Sequence, residues 1–419
     1  MDDDMIRLPI DQAVEQLAHR VKSGGGRLFI PFGPGEPLAL REMLSAAPEL
    51  AERMCFVGAA IPGINRVDWS AIAPGATAEG TFASADWREG LNTGRYRLRP
   101  LTWFQTYRWL ASTPLDAAVF QVSPPVDGRV TLSVASDLAP GVLNRADVFK
   151  LAIVNPNLPT VNGPSWPLAA FDLVTETDHP ALDYDAGDLD PAFEVISGHI
   201  ASIAPEGASL QFGVGKAGVA ALKGLRGRRG LKIHSGMVTD PLVELLDEGA
   251  VDQVVTGLAA GTARLRQRLS DPRITFADSG HTHDIAVLAQ IPRLVAVNSA
   301  LEIDLLGQAN AEFQNGRQVS GVGGLTDFLR GARLSDGGVP IIALPASAKG
   351  DSISRIVPRL SPGAVSVPRA DVGVVITEHG VADLRGLTLD ERAQALIGVA
   401  SPAHRDGLSN AWDELRRSL

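Results

Sequence analysis

The sequence predicts an α/β fold, two tandem domains of similar topology built on largely parallel sheets. Three observations carry this. Short apolar or β-branched runs alternate with amphipathic helical patterns along the chain, the signature of α/β layers. Most runs stop at turn residues, many of them glycine. One unit, strand then Gly-x-Gly then helix, occurs twice: Phe32-Gly33-Pro34-Gly35 and Phe212-Gly213-Val214-Gly215.

In chain order, Asp11–Val21 reads as a helix, Arg27–Phe32 as a buried strand and Pro37–Leu44 as the helix after the first glycine turn. Ala117–Val122 and Val148–Val154 are further strands. At Thr175–Asp190 the apolar runs give way to Asp, Glu, Pro and Gly, which marks a boundary. The expected domains are therefore residues 1–183 and 184–419. In the second, strands are expected at Leu210–Phe212, Leu231–His234, Leu294–Val297, Ile341–Leu344 and Val372–Thr377. Helices are expected at Val219–Leu225, Pro241–Glu248 and Leu389–Ile397, with another beginning at Asp327. Ser235-Gly236 reads as the turn that ends the strand Leu231–His234.

Composition narrows the function. The chain has 419 residues and a formal net charge of −10, an acidic balance that argues against holding nucleic acid through phosphate contacts. No apolar stretch is long enough for a membrane span. A single cysteine cannot form an intrachain disulfide, and Met1-Asp2-Asp3-Asp4 lacks a signal peptide's basic start. A cytoplasmic location is expected. Lysine is scarce beside arginine, a compositional bias and not a binding patch.

The glycine loops are the candidate chemistry. Gly213-Val214-Gly215 opens a helix, where backbone N–H groups hold an anion or polarise an oxygen. Gly218 completes the spacing GxGxxG, but no convincing acidic residue follows the next strand, so a dinucleotide fingerprint is not supported. The plain alternative is a tight turn needing positive φ. Ser320-Gly321-Val322-Gly323-Gly324 lets backbone approach a ligand closely. Lys349, after a buried strand, suits a phosphate or diphosphate and equally suits a solvated surface. His281 and His283 would share one strand face but have no third ligand at metal spacing, so no metal is expected.

Several segments together resemble one family. They are Gln121-Val122-Ser123-Pro124-Pro125, Val154-Asn155-Pro156-Asn157-Leu158-Pro159, Leu210–Gly215, Asn298–Gln308, Ser320–Phe328, Ala346–Gly350 and Thr377–Gly386. In this order they resemble the acetyl-CoA hydrolase/transferase family, which includes CoA-transferases for acetate, succinate, propionate and 4-hydroxybutyrate. The resemblance implies two CoA-transferase-type α/β domains and a coenzyme A or acyl-CoA ligand, with a small carboxylic acid as second substrate. It also implies a homo-oligomer. Gly213, Val214, Gly215, Lys216 and Ala217 would form the CoA-binding loop. Gly321, Gly323 and Gly324 would lie against the acyl thioester, and Lys349 would reach the CoA phosphates.

The resemblance also implies a nucleophilic glutamate, in a segment like Gly-Ile-His-Ser-Glu-Met. Here the segment reads Lys232-Ile233-His234-Ser235-Gly236-Met237, so Gly236 stands at the glutamate's position. Leu325 and His379 depart from the pattern as well, where it has glutamine and tyrosine. Glycine has no side chain to form an anhydride or a glutamyl-CoA thioester. Glu302 is a candidate replacement, although the family carries that acid beside its nucleophile; His234 is a candidate general base. Glu378 is expected to cap a following helix, and Asp240 and Glu244 to face solvent. Two functions remain open: thioester hydrolysis or acyl transfer without the glutamyl-CoA intermediate, or a catalytically inactive CoA-binding protein or partner subunit.

Overall fold

The computed structural model describes residues 6–418 except 214, 361, 362 and 364. The chain forms two compact units. The first comprises Met1–Asp185, Val238–Asp240 and Val255–Thr282; the second comprises Ala186–Met237, Pro241–Val254 and His283–Leu419. The units are thus discontinuous in sequence, whereas the boundary expected at 183/184 is a single cut.

The first sheet has eight strands: β1 (Ile6–Arg7), β2 (Arg27–Phe29), β3 (Cys55–Val57), β4 (Thr77–Gly80), β5 (Tyr96–Leu98), β6 (Ala117–Val122), β7 (Phe149–Val154) and β8 (Leu173–Glu176). Their order is β1-β8-β7-β6-β2-β3-β4-β5, parallel throughout. Both faces of a parallel sheet are covered, which is why β6 is buried at every position. Helices α1 (Ile10–Ser23) and α2 (Leu38–Ala46) flank the turn after β2. Gly33–Gly35 forms a single 3₁₀ turn before α2 begins. Phe32, Phe56, Trp69 and Trp87 meet edge to face over one end of the core, at ring separations of 5.0–5.7 Å.

The second sheet also has eight strands: β9 (Ser209–Phe212), β10 (Leu231–Val238), β11 (Val251–Ala259), β12 (Ile274–Phe276), β13 (Leu294–Asn298), β14 (Val339–Ala343), β15 (Val374–Thr377) and β16 (Gly380–Asp383). Their order is β12-β11-β10-β9-β13-β14-β15-β16. Pairs around β9, β13, β14 and β15 are parallel, and β15–β16 is an antiparallel hairpin. The helices are α3 (Lys216–Gly224), α4 (Pro241–Asp247), α5 (Leu325–Leu334) and α6 (Leu389–Gly398). Thr388 and Glu391 close a capping box at the start of α6, with Asp390 in its first turn.

The two sheets wind alike. In each, the strand carrying the glycine turn (β2, β9) is followed by three strands laid to one side, and the next three are laid to the other. Such a reversal leaves a crevice beyond the carboxyl ends of the two strands that flank it. The sequence echo marks this repeat. Two expectations need correction. Ser235-Gly236 is not a turn, because β10 continues to Val238 and Gly236 lies within it. The segment at His281 is a short helix, Ser279–Thr282, and not a strand.

Candidate active site

Several candidate residues of the second unit lie at or near the carboxyl ends of its parallel strands. At the end of β9, the Gly213 N–H donates to the Val297 carbonyl (2.9 Å), so the loop leaves the strand beside β13. Gln211 and Asn298 exchange amide hydrogen bonds of 2.8 and 3.3 Å across the same pair of strands. Gly215 has φ +99°, a conformation open to glycine, and serves as N-cap of α3 with no side chain capping it. Gly218 packs against the Gly213 carbonyl, leaving no room for a Cβ. Ala217 is buried, and the Lys216 ammonium pairs with the Asp190 carboxylate at 3.0 Å. Val214, the middle of the predicted loop, lies outside the described residues.

On β10, His234 and Gly236 share one side of the strand, as residues two apart do. The Ser235 hydroxyl donates to the Phe212 carbonyl (3.1 Å) and the Met237 carbonyl (2.9 Å), which ties β10 to the end of β9. The imidazole of His283 faces Gly236. A Cβ built on Gly236 would lie 2.5 Å from Cε1 and 2.6 Å from Nε2 of that ring. A Cβ on Gly324 would lie 2.8 Å from Nε2 and 2.8 Å from Cδ2. The Phe328 ring of α5 closes a third side, 4.7 Å between centroids. The imidazole is therefore held between two glycine backbones and a phenyl ring.

This placement has local causes. Asp284 caps the helix Ile285–Leu288, its carboxylate accepting from the Ala286 N–H at 2.8 Å, which orients the backbone just after His283. Gly324 is the N-cap of α5, so the second glycine loop delivers its backbone to the imidazole. His283 is 4% exposed and His234 7%. Burial lowers the His283 pKa to about 3, with a further lowering from the His234 ring. His283 is neutral at pH 7.

The remaining predicted residues have surroundings of their own. Glu302 begins a short strand, Glu302–Asp304, and accepts from the Asn310 amide at 3.0 Å. Lys349 is exposed, with φ +50°, in the turn joining the short strands Ser347–Ala348 and Ile353–Ser354. Gly321 is buried, and Gly323 has φ +52°. Glu378 caps no helix: its carboxylate accepts from the Ala346 N–H at 2.8 Å, and the next element is strand β16. Asp240 accepts from the backbone N–H groups of Thr262 and Leu265, so it caps a helical turn and is not idle. Among the described residues no group of three or more His, Cys, Asp or Glu is arranged to hold a metal ion.

Sequence reasoning did not foresee the placement of two groups. One is His283, whose ring reaches Gly236 from a distant segment. The other is Asp137 in the first unit, buried at 5% exposure. Burial pushes its carboxyl up to about 7, and Asp278, which accepts from the Tyr107 hydroxyl at 2.8 Å, adds to this. Asp137 carries no local motif, and His283 carries only the weak pairing with His281.

Residues 261–412 match the model of the acetyl-CoA hydrolase/transferase C-terminal domain. A 4-hydroxybutyrate coenzyme A transferase of Clostridium kluyveri is 33% identical over 79% of this chain and 80% of its own length. A succinyl-CoA:cyclohexane-1-carboxylate CoA transferase of Geobacter metallireducens is 33% identical over 96% and 94%. This chain belongs to the acetyl-CoA hydrolase/transferase family. Solved structures agree across its length. RipA from Yersinia pestis superposes with a TM-score of 0.90 at 28% identity, covering 98% of each chain. A 4-hydroxybutyrate CoA-transferase of Porphyromonas gingivalis does so with a TM-score of 0.80 at 26% identity, over 99% of this chain and 98% of the other. The family's members include CoA-transferases and acetyl-CoA hydrolases. The tandem α/β architecture expected from the sequence is the family's.

Proposed function

We propose that this protein binds an acyl-CoA and processes its thioester, by hydrolysis or acyl transfer, without a glutamyl-CoA intermediate. One observation carries this reading: Gly236, at the position the resemblance gives to the nucleophilic glutamate, faces a buried imidazole that occupies the space of a side chain there. The ligand class comes from the relatives, which act on acyl-CoA and small carboxylic acids. In this reading the loop Gly213–Ala217 and the start of α3 bind CoA through backbone donors, and Lys349 meets a phosphate. Gly321, Gly323 and Gly324 polarise the thioester carbonyl, and one such donor is typically worth about 10²–10³ in rate.

The tight packing of His283 and Phe328 also supports a second reading, in which the chain binds CoA and does no chemistry. Incubation with a panel of acyl-CoAs, with and without acetate, separates the two. Thiol release or acyl exchange without a protein-bound CoA thioester supports processing. Binding with no turnover supports the second reading. A protein-bound CoA thioester would sink the proposal that the glutamyl route is absent. Gly236→Glu alone is expected to restore no transferase activity, because the new side chain meets the imidazole.

A further inference from the structure

We infer that the second unit holds a further binding site, for a small organic phosphate of the nucleoside diphosphate type, in an arginine-rimmed cavity at the amino ends of β14 and β15. The cavity has a volume of about 290 Å³, and Arg333, Arg385 and Arg392 line it together with Pro340, Val372 and Leu384. Strands β9, β13, β14 and β15 run parallel, so this cavity lies at the opposite edge of the sheet from the Gly213 loop. The inference is therefore independent of the acyl-CoA reading.

The fold builds the cavity from close backbone approaches. A Cβ on Gly338 would collide with the Ala332 carbonyl of α5, and one on Gly373 would lie 2.6 Å from Cγ of Pro340. Only glycine at these points lets the end of α5 and the starts of β14 and β15 come together. Arg392 of α6 is fixed there: its Nη2 donates to the Arg369 carbonyl (2.8 Å) and the Val372 carbonyl (3.2 Å). Its buried Nε has no hydrogen-bond partner. Burial lowers the Arg392 pKa from its ordinary value, and the charges of Arg333 and Arg369 lower it further.

The acids near in sequence are engaged elsewhere. Asp371 pairs with Arg330 at 2.8 Å, and Glu391 closes the capping box of α6. Asp383 holds Arg385 through two bonds of 2.8 and 2.7 Å. Among the described residues no acid pairs with Arg333, Arg369 or Arg392. A bound anion would supply the missing charge. Guanidinium groups match phosphate oxygens two at a time and hold their charge throughout the working pH range. A bare phosphate would leave the apolar wall of Pro340, Val372 and Leu384 uncovered. A nucleoside covers it, and a planar base suits the faces of guanidinium groups.

The test is calorimetric titration of the full chain with ADP, pyrophosphate and succinate. ADP is expected to bind more tightly than either of the others, and its affinity to fall as salt is raised. Arg333→Ala with Arg369→Ala, both at exposed positions, should weaken ADP by about tenfold or more and leave acetyl-CoA affinity unchanged. If the double variant fails to fold in urea titration, Arg333→Ala alone is measured in its place. Lys349→Ala should leave ADP affinity unchanged. Absence of ADP binding by the wild-type chain overturns the inference, and that measurement needs no variant. ADP binding weakened by Lys349→Ala and not by the arginine variant overturns it too, because the nucleotide then sits at the expected CoA phosphate contact. Pyrophosphate or succinate binding as tightly as ADP overturns the ligand class.

Discussion

The two sheets are wound in the same order, yet the end of the glycine-bearing strand is filled differently in each. After β2, side chains saturate the turn. Asn65 accepts from the N–H groups of Gly33 and Ile61, both at 2.8 Å, and donates to Glu36. Glu36 also accepts from the Trp69 indole (2.9 Å) and Arg41 (3.0 Å), and Gln121 donates to the Gly35 and Glu36 carbonyls. Glu36, Asn65 and Trp69 are at most 1% exposed. After β9 the described side chains at the loop are the Gln211–Asn298 amide pair, and the neighbouring strand β10 holds a glycine against an imidazole. The first copy of the strand-end turn is thus held by a buried polar network, and the second meets a glycine-lined imidazole instead.

The largest effect that would sharpen this contrast is at Glu36. Glu36→Ala removes the acceptor shared by the buried Asn65 and Trp69 and the half-buried Arg41, and a loss of about 3–5 kcal/mol is expected in urea unfolding. A loss under 1 kcal/mol would mean the turn after β2 is not held by this network.

Next come the two buried titratable groups, which should tilt the pH profile in opposite directions. Asp137 has a raised pKa, so between about pH 4 and 7 the folded state binds more protons than the unfolded, and stability falls as pH rises through that window. His283 has a lowered pKa, so between about pH 3 and 6.5 the unfolded state binds more protons, and its contribution is lost as pH falls through that window. Asp137→Asn should therefore stabilise at pH 8 by about 2–4 kcal/mol, and His283→Gln should flatten the acid limb. Urea titrations at several pH values check both signs.

A smaller effect is expected at Gly236. Gly236→Ala presses a methyl into the imidazole and should cost about 1–3 kcal/mol. Most of that cost should vanish when His283 is also replaced by alanine, a coupling that a double-mutant cycle measures. The smallest is at Lys216. Its ion pair with Asp190 is partly exposed, so Lys216→Ala should change stability by less than about 1 kcal/mol. If Lys216 serves the CoA loop, CoA affinity falls in this variant while stability does not.

Much of the fold was legible in the residues. Ala117–Val122 is a strand at those bounds, since six consecutive apolar or buried positions suit only a strand covered on both faces. The helix expected at Val219–Leu225 begins three residues earlier, at Lys216, because Gly215 starts it as an N-cap. Ser235-Gly236 misled because that pair ordinarily signals a turn. Here Ser235 is a strand residue whose hydroxyl bonds two carbonyls, and the glycine is there for close approach. Glu378 misled because its neighbour Gly380 opens a hairpin strand where a helix was expected.

The candidate site divides along the same line. The sequence by itself determined the alternation of elements, the repeated glycine turn and the family, because these reside in local periodicity and short ordered motifs. It also placed Gly236 where a carboxylate was expected. Only the tertiary structure decided which side chain meets that glycine. His283 belongs to a segment that reads locally as part of a weak metal motif, and its partner in space is set by the crossing of β10, the second glycine loop and α5. No periodicity encodes such a meeting, since it depends on which strand ends the sheet order brings together.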